Sequence, residues 1–424
     1  MKTSQMKFPI AVAGALACAA GFAEKMDRPV GIPIGERMTL KPYVALSAAY
    51  DSNVDSRKSG REDVVWTVNP GLGLDYKAET WKIAANVYYQ YNAYTKHHSY
   101  TQNSYHSCGE SITFNWADSL KDEKGWSLML TEKYSKLNQI DDIVDSVGHE
   151  YGRDRQEFNI AAAVERRFGR GWHADVNGSF YWLDYDTNNS DGEYWGLYGW
   201  QRWTVGTELG YAATKWTDFI LAANYASYEQ NNRDNRYYNS HKDYGRSSGA
   251  QGVTVHAGIG SFATDRISYR ALGGWSHYDY DEGGKASDGF TYSLSCNWNI
   301  SDTWDTALLA TSYYQPTERE YGSSQRVDAL SWGLKHRMVR GKLYGTADVA
   351  YRRESREYEA VQSYDYDLDI VTFRLGLTYV LNRYLQLYGS LEYRKSINES
   401  GCSSRGEYYD YDRYRGSLGM RFTY

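Results

Sequence analysis

From Met38 to Tyr424 the chain repeats segments of about a dozen residues in which apolar and polar side chains alternate. A period of two puts one set of side chains on each face of a strand, with a different solvent on each side. The last segment is the clearest. Tyr414, Gly416, Leu418, Met420, Phe422 and Tyr424 fall on one face, and Arg413, Arg415, Ser417, Gly419, Arg421 and Thr423 on the other. A dozen residues is also the length a tilted strand needs to cross a bilayer. No helix-length apolar run occurs beyond the N-terminus, which excludes a transmembrane helix.

The expected strands fall near 38–50, 64–76, 81–94, 103–116, 126–138, 153–167, 172–186, 200–212, 217–230, 249–262, 266–280, 289–300, 304–318, 325–338, 342–357, 366–380, 384–397 and 411–424. They are joined alternately by short turns and longer polar loops. Lys77-Ala-Glu-Thr80, Phe168-Gly-Arg-Gly171, Ala263-Thr-Asp265, Ser301-Asp-Thr303, Val339-Arg-Gly341 and Leu381-Asn-Arg383 carry turn-forming residues. A soluble sandwich has no reason to alternate its connection lengths so regularly. The pattern predicts an all-β fold, one transmembrane antiparallel barrel of about 18 strands, within two, over residues 38–424. Short turns then face the periplasm and long loops the exterior.

Composition agrees. There are 42 Tyr and 14 Trp among 424 residues, with only six Pro. Mean hydropathy is −0.69, as expected where only every second residue meets lipid. Trp81, Trp126, Trp172, Trp216 and Trp304 each lie beside a short turn, which places them in an aromatic girdle at the membrane boundary. Net charge is −6 with both signs mixed, so no basic field for nucleic acid exists.

Residues 1–23 read as a cleaved secretory signal. Lys2 and Lys7 precede an apolar run from Phe8 to Ala20, and Gly21-Phe22-Ala23 is a small-x-small site. A lipoprotein reading through Cys18 ranks second, because Ala15 stands where Leu is expected. Residues 24–37 form a short periplasmic tail with no room for a plug. Cys108, Cys296 and Cys402 match no metal spacing and are expected to be unpaired.

Two stretches carry a resemblance. Ser417-x-Gly419-x-x-Phe422-x-Tyr424 resembles the C-terminal signal of bacterial outer-membrane barrels. Tyr50-Asp51-x-Asn53 closes a first strand much as it does in outer-membrane β-barrel porins of Gram-negative bacteria. The resemblance implies a barrel and a porin role, and it brings no catalytic residues. Gly419, Phe422 and Tyr424 are then the signal read by the barrel assembly machinery. The implied surroundings are outer-membrane lipid and lipopolysaccharide. Porins often trimerise, so a homo-oligomer is an expectation, with no interface legible in the chain.

Alternation also gives an inner face. On the last five strands it presents Lys342, Asp348, Arg352, Arg374, Glu392, Arg394, Arg413, Arg415 and Arg421, and these are the expected pore-lining residues. Cations dominate that wall, which predicts a preference for anions unless Glu157, Asp175 and Glu208 cancel it. Asp175, Asn177, Ser179 and Tyr181 form a polar stripe, and Tyr88, Tyr181 and Tyr388 are candidates to stack against sugars. No G-x-S-x-G, H-E-x-x-H or P-loop occurs, so no enzyme, catalytic residue, metal or cofactor is expected. Asp141, Asp142 and Asp145 read as a solvated loop rather than a cation site. The expected function is passive diffusion of small hydrophilic solutes. The alternatives are a non-conducting barrel whose loops 187–199 and 231–248 bind a glycan or protein, and a barrel for export of a surface polysaccharide.

Overall fold

A computed structural model describes residues 31–424 apart from 55–59, 97–103, 118–124, 139–153, 186–199, 215, 231–248, 262–265, 281–285, 317–322, 340, 359–365 and 399–409. The signal segment, Cys402, the acidic run at 141–145 and both long loops therefore lie outside the described residues.

Nineteen antiparallel strands form one sheet. They are β1 Ile32–Ile34, β2 Met38–Asp51, β3 Asp63–Lys77, β4 Trp81–Tyr94, β5 Ser104–Ala117, β6 Gly125–Asn138, β7 Asp154–Arg167, β8 Trp172–Tyr185, β9 Trp200–Ala212 and β10 Asp218–Gln230. They continue with β11 Gly249–Ser261, β12 Ile267–Tyr280, β13 Ser287–Asn299, β14 Trp304–Pro316, β15 Ser323–Val339, β16 Leu343–Tyr358, β17 Tyr366–Val380, β18 Leu385–Asn398 and β19 Tyr411–Thr423. From β2 onward each strand pairs with the next, and β19 pairs back onto β2. The sheet thus closes into an antiparallel barrel of 18 strands. Every expected strand is present, with its ends displaced by two residues at most.

The short β1 lies within the expected tail. It pairs Ile32 with Leu40 and Ile34 with Met38, after a turn that Gly35 makes at φ +67. β19 covers the same edge of β2 from Tyr43 to Asp51, and the Tyr424 amide donates to the Pro42 carbonyl at 3.0 Å. Two pieces of chain, one from each end, together cover the closing edge.

The turns satisfy their own backbone. Asn382 Oδ1 accepts from the amides of Tyr384 and Leu385 at 2.8 and 3.0 Å. Gly171 and Gly341 take φ +85 and +70, which a side chain would strain.

Two faces separate cleanly. Val44, Leu46, Leu72, Val205, Leu221, Val253, Leu375 and Leu391 are all exposed, and Leu418 is 75% exposed. Apolar side chains so open to the surroundings need lipid, since burying one is worth about 1.5–3 kcal/mol. Rings edge this band near the short turns: Tyr76 stacks on Trp81 at 4.7 Å, and Trp172 meets Tyr211 at 4.8 Å. At the other ends Phe180 meets Trp203 at 4.3 Å. The opposite face is concave. Arg270 of β12 reaches Glu208 of β9, with Nη1–Oε1 at 2.9 Å, and strands three apart meet only inside a curved sheet.

A cationic side chain at mid-band should therefore cost far more outside than inside. Leu418→Arg is expected to lose about 2–4 kcal/mol of stability. Ser417→Arg, one residue away on the inner face, should lose little. Denaturant unfolding in lipid vesicles measures both. Equal losses would show that the two faces do not meet lipid and water.

Candidate functional site on the inner wall

The register decides which inner charges become neighbours. Asp348 of β16 stands opposite Arg374 of β17, Arg374 opposite Glu392 of β18, and Glu392 opposite Arg415 of β19. Across the closing seam Arg415 stands opposite Asp51 of β2, and Asp51 opposite Asp63 of β3. Opposite residues in an antiparallel pair share a face. Four of the expected inner residues thus form one row of alternating sign, which runs on across the seam into two aspartates. Arg374 Nε donates to Glu392 Oε2 at 2.6 Å.

The next row towards the long-loop end pairs Thr372 with Arg394 and Arg394 with Arg413. Arg413 reaches down to Asp51, with Nε 3.0 Å from both carboxylate oxygens and a further contact from Nη2. Arg413 is 2% exposed and Asp51 1%. One row further, Arg352 Nε lies 2.7 Å from Oε1 of Glu354, which is completely buried. Arg421 sits apart near the short-turn end, over the Tyr43 ring at 4.1 Å and beside the paired Lys41 and Asp75. Lys342 falls one residue short of β16, in the turn, where its amide donates to Val339 O at 2.9 Å.

The seam is clasped at its long-loop end. Asn53 N donates to Asp51 Oδ1 at 3.0 Å, and Asn53 Nδ2 donates to the Asp412 carbonyl at 3.2 Å. Ser52 N donates to Tyr414 O at 2.9 Å, and Tyr414 N donates to Ser52 Oγ at 2.8 Å. Gly60 packs directly on Asn53: a Cβ there would lie 1.7 Å from Oδ1. Asp51 and Asn53 of the first-strand motif thus hold the two ends of the barrel together. Sequence reasoning missed that Asp51, Asp63 and Glu354 belong to the inner wall. The motif was the available signal for Asp51, since a polar pair closing an apolar strand has to bond to something.

The expected polar stripe also lies inside. Asn177 Nδ2 donates to Asp175 Oδ1 at 2.7 Å, and Ser179 and Thr204 share a hydrogen bond of 2.5 Å. Glu157 lies 2.9 Å from Arg155. The inner tyrosines lie along the wall. Tyr43, Tyr88, Tyr278 and Tyr388 each fold over a glycine on the neighbouring strand, Gly71, Gly109, Gly252 and Gly419, where a Cβ would come within 3 Å of the ring. Tyr181 packs on Trp200 at 4.8 Å, with the Arg202 guanidinium 5.7 Å away. Cys108 and Cys296 are unpaired. Among the described residues no group of three or more His, Cys, Asp or Glu could hold a metal ion.

A family model described as putative beta-barrel porin 2 matches residues 27–424. The chain belongs to the putative beta-barrel porin 2 family. Among solved structures this porin-family chain is similar to the FrpB iron transporter from Neisseria meningitidis (F3-3 variant), at 10% identity and TM-score 0.45, over 91% of this chain and 81% of that one. It is similar to the siderophore receptor PirA from Pseudomonas aeruginosa at 9% identity and TM-score 0.42, over 93% and 81%. A bacterial polysaccharide outer membrane secretin aligns at 8% identity and TM-score 0.34, over 90% and 98%. No curated protein matches this sequence.

Proposed function

We propose that this porin-family barrel is a passive channel of the outer membrane for small hydrophilic solutes, reached by export on a cleaved signal at residues 1–23. Eighteen strands ~4.8 Å apart and tilted ~40° enclose a ring on the order of 35 Å across. The observation that carries the reading is the inner face itself. It presents paired and unpaired charges, amides and hydroxyls across that width, and its tyrosines fold against the wall. A wall of this chemistry favours water and hydrophilic solutes.

Purified protein in planar bilayers should give reproducible conductance steps. Silence at every voltage would overturn the channel reading in favour of a surface anchor. Selectivity is a finer matter. Asp51, Asp63 and Glu354 stand among the wall's cations, so the anion preference expected from the arginines is reduced. Reversal potentials across a salt gradient measure what remains.

A further inference from the structure

The ion pairs beside the seam leave one cation over. Arg394 of β18 stands directly opposite Arg413 of β19 on the inner face. Like charges so placed destabilise a strand pair unless something answers them. Arg413 is answered by Asp51. Glu392, the nearest acid on Arg394's own strand, feels Arg394 through space but is bonded to Arg374. Among the described residues Arg394 has no hydrogen-bond or ion-pair partner, and its Nε is shut off from solvent with none. Two positions further along β18, Ser396 faces the same way, is 3% exposed, and its hydroxyl also lacks a partner. Unpaired buried polar atoms are costly, and two in one corner need an explanation.

We infer that Arg394 and Ser396, backed by Arg413, form a binding step for a small oxyanion, a carboxylate or phosphate group carried by a solute in transit. This rests on the channel reading above. The planar guanidinium matches an oxyanion with two parallel N–H donors, and the hydroxyl offers a third. Asp51 does not compete for Arg394, because Arg413 and the Asn53 amide already occupy its carboxylate. An anion here would also relieve the repulsion between the two opposed arginines. Arg394 is only half-buried, so the group could enter and leave from the lumen.

Inorganic phosphate is the probe. It is titrated calorimetrically into the purified full barrel in detergent, and separately added to chloride currents in planar bilayers. Wild type should bind phosphate and show phosphate-dependent block. Arg394→Gln should weaken both by about tenfold, with its heat-shifted gel band unchanged. Arg421→Gln, near the other end of the wall, should bind phosphate with the affinity of wild type. Equal phosphate affinity in wild type and Arg394→Gln overturns the site, and so does absence of binding to wild type. Silent bilayers with Arg394-dependent binding by calorimetry would sink the channel reading and leave the site standing. If Arg394→Gln does not fold, Arg394→Lys replaces it, keeping the charge but losing the fork. Weaker binding by that folded variant supports the site, and undiminished binding overturns it.

Discussion

Removing Phe422, Thr423 and Tyr424 should leave almost no folded barrel in the membrane. Phe422 stands between Leu385 of β18 and Val44 of β2, and Thr423 stands opposite Tyr43. The Thr423 amide donates to Tyr384 O at 2.8 Å. The Tyr384 ring stacks on Phe422 and Tyr424 at 6.2 and 5.7 Å. The truncation strips partners from both neighbouring strands at the lipid boundary, where each unsatisfied backbone group costs several kcal/mol. It also leaves β2 with an open edge beyond the reach of β1, and open edges invite mispairing. The readout is the heat-shifted gel band in outer-membrane fractions beside the unfolded band and degradation products. A wild-type amount of folded barrel would show that these three residues are dispensable. Gly419→Ala should give a milder defect through packing, because its new methyl would collide with the Tyr388 ring.

The strands were legible because each lies between two solvents for its whole length, so the period of two is never interrupted. Leu418 and Ser417 show it: adjacent residues, one made for lipid and one for water. The identity of partners across the barrel was less legible. Alternation assigns Arg374, Glu392 and Arg415 to one face but does not say that register sets them opposite one another. Nor does it say that closure brings Asp51 from the far end of the sequence into the same row. The short β1 was missed for a related reason. Ile32-Pro33-Ile34 is too brief to show a period, and it is a strand only because β2 offers an edge that β19 does not reach. Lys342 shows the limit at strand ends, where one residue separates a wall position from a turn.

The other large effect is expected at the seam clasp. Arg413 and Asp51 are almost fully withdrawn from water, so breaking the pair leaves a charge that nothing hydrates. Removing one partner of such a pair typically costs about 3–5 kcal/mol. The two single variants should differ. Asp51→Ala leaves Arg413 facing Arg394, with Arg415 one row away, and takes away the acid that balanced them. Arg413→Ala leaves Asp51 with Arg415 opposite and the Asn53 amide still bonded to it, so part of its charge stays answered. Asp51→Ala should therefore be the more harmful. The double variant should lose less than the two singles added together, because it leaves neither charge stranded. Denaturant unfolding of the four proteins in lipid vesicles gives the coupling. Additive losses, or an Arg413→Ala that is the worse of the two, would show that the pair is an incidental contact. In that case the Tyr50-Asp51-x-Asn53 motif would act through the Asn53 bond to the Asp412 carbonyl alone, and Asn53→Ala, not Asp51→Ala, would open the seam.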